Sequence, residues 1–258
     1  MLLEPVHGVT VCVGMADYLH LALTHNRSLL NECVVSTSTA DEATQQVAAR
    51  HNCTVVTSET TTRDGVFAKG AMVERGLQQL PGYGWRCHFD ADICFPGNMR
   101  ARLGAALYDK QALYGCDRMN VVGPENYQKL LDSGWALRGW ESQHFLLYST
   151  NRAEIGARLI YGDQGWVPIG FFQLWHADAE TRGIYRIRSY PTGSQSAAHD
   201  DVQFSLRFDR HKRIFIPEIL VAHLVTPDMK HGVNWKGRVT APFRPERSSG
   251  ESVAAGHS

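Results

Sequence analysis

The chain has 258 residues, 43% of them hydrophobic, and 26 Lys and Arg balance 26 Asp and Glu. This length suffices for one large core, and the balanced charge excludes a polyelectrolyte that holds nucleic acid or an anionic surface by net charge alone. No apolar stretch reaches the length of a membrane span, the opening "MLLEPVHGVTV" lacks a leader pattern, and the six cysteines form no C-x-x-C, so a soluble, reduced, cytoplasmic protein is expected.

Residues 9–14 (VTVCVG) are predicted as a first strand. Behind Asp17 as N-cap, Leu19, Ala22, Leu23, Asn26, Leu29 and Leu30 recur at helical spacing. Residues 32–37 (ECVVST) read as a second strand. Thr39 and Glu42 form a capping-box pattern that opens a helix with Ala43, Val47 and Ala48 on one face. A third strand follows at 53–58 (CTVVTS), then a helix within 65–84 ended by Pro81 and Gly82, then a fourth strand at 85–90 (WRCHFD).

The second half is less regular. A helix around 97–109 leads into "ALYGCDRMNVV", and a Gly/Trp-rich stretch at 132–141 reads as a loop, a lid or acceptor loop. Strands are predicted at "HFLLYS" (144–149) and "PIGFFQLWH" (168–176), with Trp166, Phe171, Phe172 and Trp175 read as core aromatics. After a Gly/Ser-rich break, "HDDVQFSLRF" (199–208) is predicted as a helix burying Val202, Leu206 and Phe208, and "RIFIPEILVAHL" as a last strand pair. Residues 244–258 have the composition of a disordered tail.

Strands alternating with helices predict a doubly wound, mostly parallel α/β sheet with every strand's carboxyl end on one edge, where ligands bind. Asp90 and Asp92, in "HFDADICFP", fall just past the fourth strand on that edge. About one Asp-x-Asp is expected by chance in a chain of this length, and a solvated acidic turn is the simple reading. The placement favours a site. Paired carboxylates suit Mg²⁺ or Mn²⁺, which share their remaining positions between water and substrate phosphate and neutralise a departing diphosphate. The Gly-rich signatures of dinucleotide and P-loop sites are absent.

The run "FAKGAMVERGLQQLPGYGWRCHFDADICFP" resembles the core of GT-A-fold glycosyltransferases, in particular the family 2-like group. "CVVSTSTADEATQQVAARHNCTVV" resembles their second strand and helix. The resemblance implies that Asp90 faces the ribose or donor sugar, that Asp92 binds a Mn²⁺ or Mg²⁺ ion, and that His223 in "VAHL" completes the metal site. Lys69 reads either as a phosphate contact or as a solvated helix residue. "HDDVQFSLR" resembles the acidic segment that carries the catalytic base, which falls on Asp201 first and Asp200 second. It departs from that pattern at His199 and Gln203. "PIGFFQLWH" resembles the segment of small members, several encoded by phages, that closes over donor and acceptor.

The resemblance implies one GT-A-like catalytic domain over 1–243, with a nucleotide-sugar half at about 8–96 and an irregular acceptor half at about 97–225. The expected activity is metal-dependent, inverting transfer of a sugar from a nucleoside-diphosphate sugar, UDP-linked by default, to a hydroxyl. The acceptor is a glycan or, if the chain is phage-encoded and acts in the host cytoplasm, a hydroxymethylated pyrimidine of phage DNA. Lys230, Lys236, Arg238, Arg244 and Arg247 would then form an arm tracking phosphates, or else an ordinary basic tail. A nucleotidyltransferase and a non-catalytic carbohydrate-binding protein are the alternatives. The first would carry a Gly-rich loop with a basic residue after the first strand, for which "VGMADYLH" is a poor match.

Overall fold

The computed structural model describes residues 4–135, 162–181, 189–193, 196–228, 234 and 236–244. The first half follows the predicted alternation. Strand β1 (Val6–Val11), helix α1 (Ala16–Asn26), β2 (Glu32–Ser38), α2 (Glu42–Arg50) and β3 (Thr54–Ser58) run in order. Two caps differ from expectation. Asp17 lies inside the first turn of α1 rather than at its N-cap, which is Met15 without a side-chain bond. The Asp17 carboxylate instead takes the guanidinium of Arg238 and the Phe243 N–H. At α2 the Thr39/Glu42 box gives way to Asp41, which accepts the Thr44 N–H at 3.1 Å and also the Gly14 N–H at 2.7 Å. One carboxylate thereby caps the helix and ties down the loop after β1.

A short hairpin precedes the next helix: β4 (Thr62–Arg63) and β5 (Val66–Phe67) pair antiparallel. Asp64 and Gly65 between them have φ of 51° and 77°, the left-handed pair that a two-residue hairpin turn requires. Helix α3 (Lys69–Leu77) is therefore shorter than the run predicted for it. Next come β6 (Trp85–His88), β7 (Ile93–Cys94), α4 (Met99–Ala106), β8 (Leu113–Val122) and an unpredicted helix α5 (Gly123–Asp132) that opens on Gly-Pro. The sequence "PIGFFQLWH" is extended only at its end, in β9 (Gln173–His176), followed by α6 (Ala177–Thr181).

Helix α7 (Ala197–Ser205) starts behind Ser196, whose side chain accepts the His199 N–H. It and the turn after it bury Val202, Phe204 and Phe208, whereas Leu206 is only partly covered. The predicted last strand pair is one strand, β10 (Arg213–Val225), with an irregularity between Phe215 and Leu220. Pro217 falls within that break and has no N–H to give the ladder. The lid residues 136–141, the strand at 144–149 and the tail from 245 lie outside the described residues.

Eight strands form one sheet in the order β3-β2-β1-β6-β9-β8-β10-β7. Pairs β1–β2, β2–β3, β1–β6 and β8–β10 are parallel, whereas β9 runs against both β6 and β8, and β7 against β10. Alternating residues face opposite layers: Cys33 and Val35 pack under α1 and α2, and Val9 and Val34 pack against Val73 and Leu77 of α3. The expected core aromatics Phe171, Phe172 and Trp175 are buried. All six cysteines are free and buried. Among the described residues no helix is long and apolar enough to cross a membrane. Strands β1, β6, β8 and β10 point the same way, so their carboxyl ends converge on one edge.

Candidate active site

The chain leaves β6 at that edge and turns back at once, the Ile93 N–H donating to the Asp90 carbonyl at 3.1 Å. Asn26, fully buried at the end of α1, holds the turn from below. Its amide nitrogen donates to the Ile93 carbonyl and its oxygen accepts the Phe95 N–H, each at 2.7 Å. The Leu224 N–H donates to the Asp92 carbonyl at 2.9 Å. These bonds set Asp92 against β10, with its Oδ2 3.4 Å from His223 Nε2. His223 pairs in register with Asn120 of β8, and its Nδ1 lies 2.8 Å from the Asn120 amide oxygen. With Nδ1–H donating there, the Nε2 lone pair faces the carboxylate, the tautomer a metal ligand needs.

A divalent cation fits this pair. Asp92 Oδ1 is buried without a hydrogen-bond partner, an arrangement that folded proteins rarely leave unresolved. The carboxylate suits Mn²⁺ or Mg²⁺, and the imidazole favours the softer Mn²⁺ of the two. Among the described residues no group of three or more His, Cys, Asp or Glu side chains is arranged around a metal position. Other ligands would then be water and phosphate oxygens, as these ions commonly accept.

Lys69, the first residue of α3, is buried, and its Nζ lies 2.7 Å from Asp90 Oδ1 and 3.0 Å from Asp201 Oδ2. Burial opposes its charge, but Asp201 and Asp90 outweigh that and hold its pKa above the ordinary lysine value. For Asp90 burial raises the pKa, and Lys69 and His88 more than reverse it, bringing the carboxyl down to about 2. The ammonium and the Asp90 carboxylate are therefore both charged at neutral pH. They border a cavity of about 240 Å³. Val11, Val13, Met15 and Phe67 form an apolar wall; Lys69, Asp90, Asp92, Arg118 and His223 form a polar one. The Arg118 guanidinium lies 5.0 Å from the centre of the Phe171 ring.

Asp200 and Asp201 do not line this cavity, and both are buried. Asp200 Oδ2 accepts the N–H of Gly70, in the first turn of α3, at 3.1 Å, where the helix dipole favours an anion. Asp201 spends Oδ2 on Lys69 and Oδ1 on the Tyr190 hydroxyl at 2.7 Å. Gly170 covers it so closely that a Cβ there would fall 2.2 Å from Oδ2. Both oxygens of Asp201 are thus taken in this structure, whereas Asp200 keeps one buried oxygen, Oδ1, without a hydrogen-bond partner. Arg238 grips Asp17 through two nitrogens at 2.7 and 2.9 Å, while Lys230 and Arg247 lie outside the described residues.

The mostly parallel sheet with β9 and β7 reversed has a GT-A-like fold. The chain is similar to glucosyl-3-phosphoglycerate synthase from Mycobacterium tuberculosis in complex with Mn²⁺ and UDP-glucose, with a TM-score of 0.51 and 14% identity over 91% of this chain and 74% of that one. A structure described only as a mycobacterial protein matches with a TM-score of 0.51 and 14% identity over 85% and 67%. Mannosyl-3-phosphoglycerate synthase from Rubrobacter xylanophilus matches at 19% identity and a TM-score of 0.37, the chain spanning 41% of its length. The sequence matches no protein-family model and no curated protein.

Proposed function

We propose that the protein is a metal-dependent glycosyltransferase that moves a sugar from a nucleoside-diphosphate sugar, UDP-linked, to an acceptor hydroxyl. The observation that carries this reading is the pairing of Asp92 and His223, with one carboxylate oxygen unused, beside the Lys69–Asp90 ion pair in one cavity. A cavity with one apolar and one charged wall suits a flat base joined to a diphosphate. Residues 8–96 supply Lys69, Asp90 and Asp92, and residues 97–225 add Arg118, Asn120 and His223. Asp92 and His223 would hold Mn²⁺ or Mg²⁺. Such an ion, when bound, acts as a Lewis acid on the leaving diphosphate. Lys69 brings a fixed positive charge to the same wall, Asp90 orients donor hydroxyls, and Asn120 keeps His223 in its ligand tautomer. The similar synthase structure holding Mn²⁺ and UDP-glucose supports the reading.

For the acceptor, the favoured class is a small anion bearing a hydroxyl. Arg118 lines the cavity with its guanidinium over the Phe171 ring, a cation of the kind that pairs with a carboxylate or phosphate. A similar structure, with a TM-score of 0.50 and 14% identity, is complexed with phosphoglyceric acid. A DNA acceptor has no such support, since Arg238 of the supposed arm is committed to Asp17. Inversion by single displacement needs a carboxylate facing the acceptor, and the anomeric configuration of the product, read by NMR, decides the stereochemical course.

Calorimetry with UDP and Mn²⁺ tests the donor reading, followed by mass spectrometry of UDP-sugars incubated with phosphoglyceric acid or glycerol. Mn²⁺-dependent UDP binding and a product with the anionic acceptor are expected. Absence of Mn²⁺-dependent UDP binding would overturn the reading, and release of pyrophosphate from a nucleoside triphosphate would favour the nucleotidyltransferase.

A further inference from the structure

Under the polar wall of the cavity lies a chain of buried polar groups. Tyr190 is 1% exposed, and its hydroxyl oxygen is 2.7 Å from Asp201 Oδ1, 2.7 Å from Gln173 Oε1 and 3.1 Å from His88 Nδ1. A phenol has one hydrogen, shared here between two acceptors at 2.7 Å, Asp201 Oδ1 and Gln173 Oε1, of which the carboxylate is the stronger. His88 Nδ1–H then serves Gln173 Oε1 at 3.2 Å. The Gln173 amide nitrogen donates to the Asp201 carbonyl at 2.9 Å and to Ser205 Oγ at 3.0 Å, which ties the middle and end of α7 to the sheet. Tyr190 itself is held twice more. Its N–H donates to Glu74 Oε2 of α3 at 2.6 Å, and its ring stacks on Phe204 of α7 with centroids 4.6 Å apart.

A buried lysine, carboxylate and phenol together cost more than apolar residues of the same volume would, because each must be stripped of water. Their burial is therefore weak evidence for a role in fold stability. What they achieve is the fixing of one atom. A lysine ammonium rides on a flexible four-carbon stem, and Asp90, partly exposed, is a loose anchor by itself. Asp201 supplies the second anchor from the protein interior; the Tyr190 hydroxyl holds its carboxylate, and Gln173 holds its backbone carbonyl.

We propose that Tyr190 is a positioning residue of the donor site: its hydroxyl orients Asp201, which fixes the Lys69 ammonium at the cavity wall where a donor diphosphate lies. The consequence for binding rests on the function proposed above; the immobilisation of Lys69 does not.

Tyr190→Phe removes the hydroxyl and keeps the stack on Phe204. Nitrogen-15 NMR of the lysine ammonium groups, with no donor present, reads the first claim. Wild type gives an exchange-protected Lys69 ammonium signal, and Tyr190→Phe loses it to exchange broadening. Calorimetry reads the second. Tyr190→Phe weakens Mn²⁺-dependent UDP binding about tenfold, the scale of one hydrogen bond to a charged group, and weakens it less than twofold further in a Lys69→Met background. Leu113→Ala, in the same core and outside the chain of bonds, lowers thermal stability and leaves UDP affinity unchanged.

An unaltered Lys69 signal in Tyr190→Phe would overturn the proposal, as would equal losses of affinity in both backgrounds or a matching loss in Leu113→Ala. If wild type binds no UDP while Tyr190→Phe still releases the Lys69 signal, the donor reading fails and the positioning role stands.

Discussion

The register that pairs His223 with Asn120 across β8 and β10 makes a side-chain amide the partner that decides which imidazole nitrogen faces Asp92. Replacing Asn120 by Leu keeps its approximate size and removes that acceptor. Mn²⁺ affinity measured by calorimetry should fall by roughly tenfold, the low end of what outer-sphere partners of a ligating His contribute, while unchanged affinity would show that the rotamer of His223 is set by packing alone. Asp201 gives a sharper contrast. A base that accepts the proton of the acceptor loses turnover on Asp→Asn but keeps donor affinity. An anchor for Lys69 loses donor affinity as well, because the amide no longer balances the ammonium. The buried, doubly bonded position of Asp201 predicts the second pattern: Asp201→Asn should weaken Mn²⁺-dependent UDP binding by about tenfold. Wild-type UDP affinity with a large loss of turnover alone would restore the base.

Helix α3 carries Lys69 to the cavity, and two of its residues have no side chain where it packs closely, Gly76 against the sheet and Gly70 against Pro191 and Asp200. A Cβ at Gly76 would meet Val9 Cγ2 at 2.5 Å and Ser36 Oγ at 2.8 Å, and one at Gly70 would meet the Pro191 carbonyl at 1.8 Å. Gly76→Ala should therefore push the helix outward and cost about 1–3 kcal/mol, seen as a lower urea midpoint with little change in m-value. A midpoint at or above wild type would mean the sheet yields freely. The helix itself was legible from "FAKGAMVERGLQQL", and Asp90 and Asp92 were legible as edge residues because a parallel sheet dictates where its strands end. The Asp64-Gly65 hairpin was present in the sequence but masked by the apolar Val66 and Phe67, which extend the helical pattern of α3. Asn26 was hidden for the same reason: it occupies an apolar position of α1, and its partners Ile93 and Phe95 are 67 and 69 residues away. Asp201 stood out as an acid at a helix start, yet its partners Lys69 and Tyr190 become neighbours only when α3 and α7 pack together. Local pattern fixes elements and edges; the long-range bonds that assign roles to single oxygens carry no local signal.

Across the molecule, the two helical layers press several imidazoles into surroundings that disfavour their charge. His25, between α1 and α5, lies 2.9 Å from the Tyr127 hydroxyl and edge-on to Trp135. Burial pulls its pKa down from 6.5 to about 4, and burial lowers His7, His51 and His88 as well. In the unfolded chain these rings take up protons near pH 6.5; in the folded one His25 refuses its proton until about pH 4. Between those values the unfolded state binds more protons, so stability must fall as the pH drops through that window and recover as it rises. The depressed carboxylates act lower down. Asp90, at about 2, lends stability above the unfolded carboxyl value near 4 and loses it only as the pH falls towards 2, so between pH 5 and 7.5 it contributes little, and Glu180, whose carboxyl burial raises, acts against the histidines there. Urea unfolding at pH 7.5 and at pH 5.0 should show a lower midpoint at pH 5.0. His25→Phe removes one of the titrating rings and keeps an aromatic against Trp135. Whatever its midpoint at pH 7.5, its decline between the two pH values should be smaller than that of wild type. A decline as steep as wild type would mean that His25 protonates in the folded state without penalty, and that the acid sensitivity belongs to the other three rings.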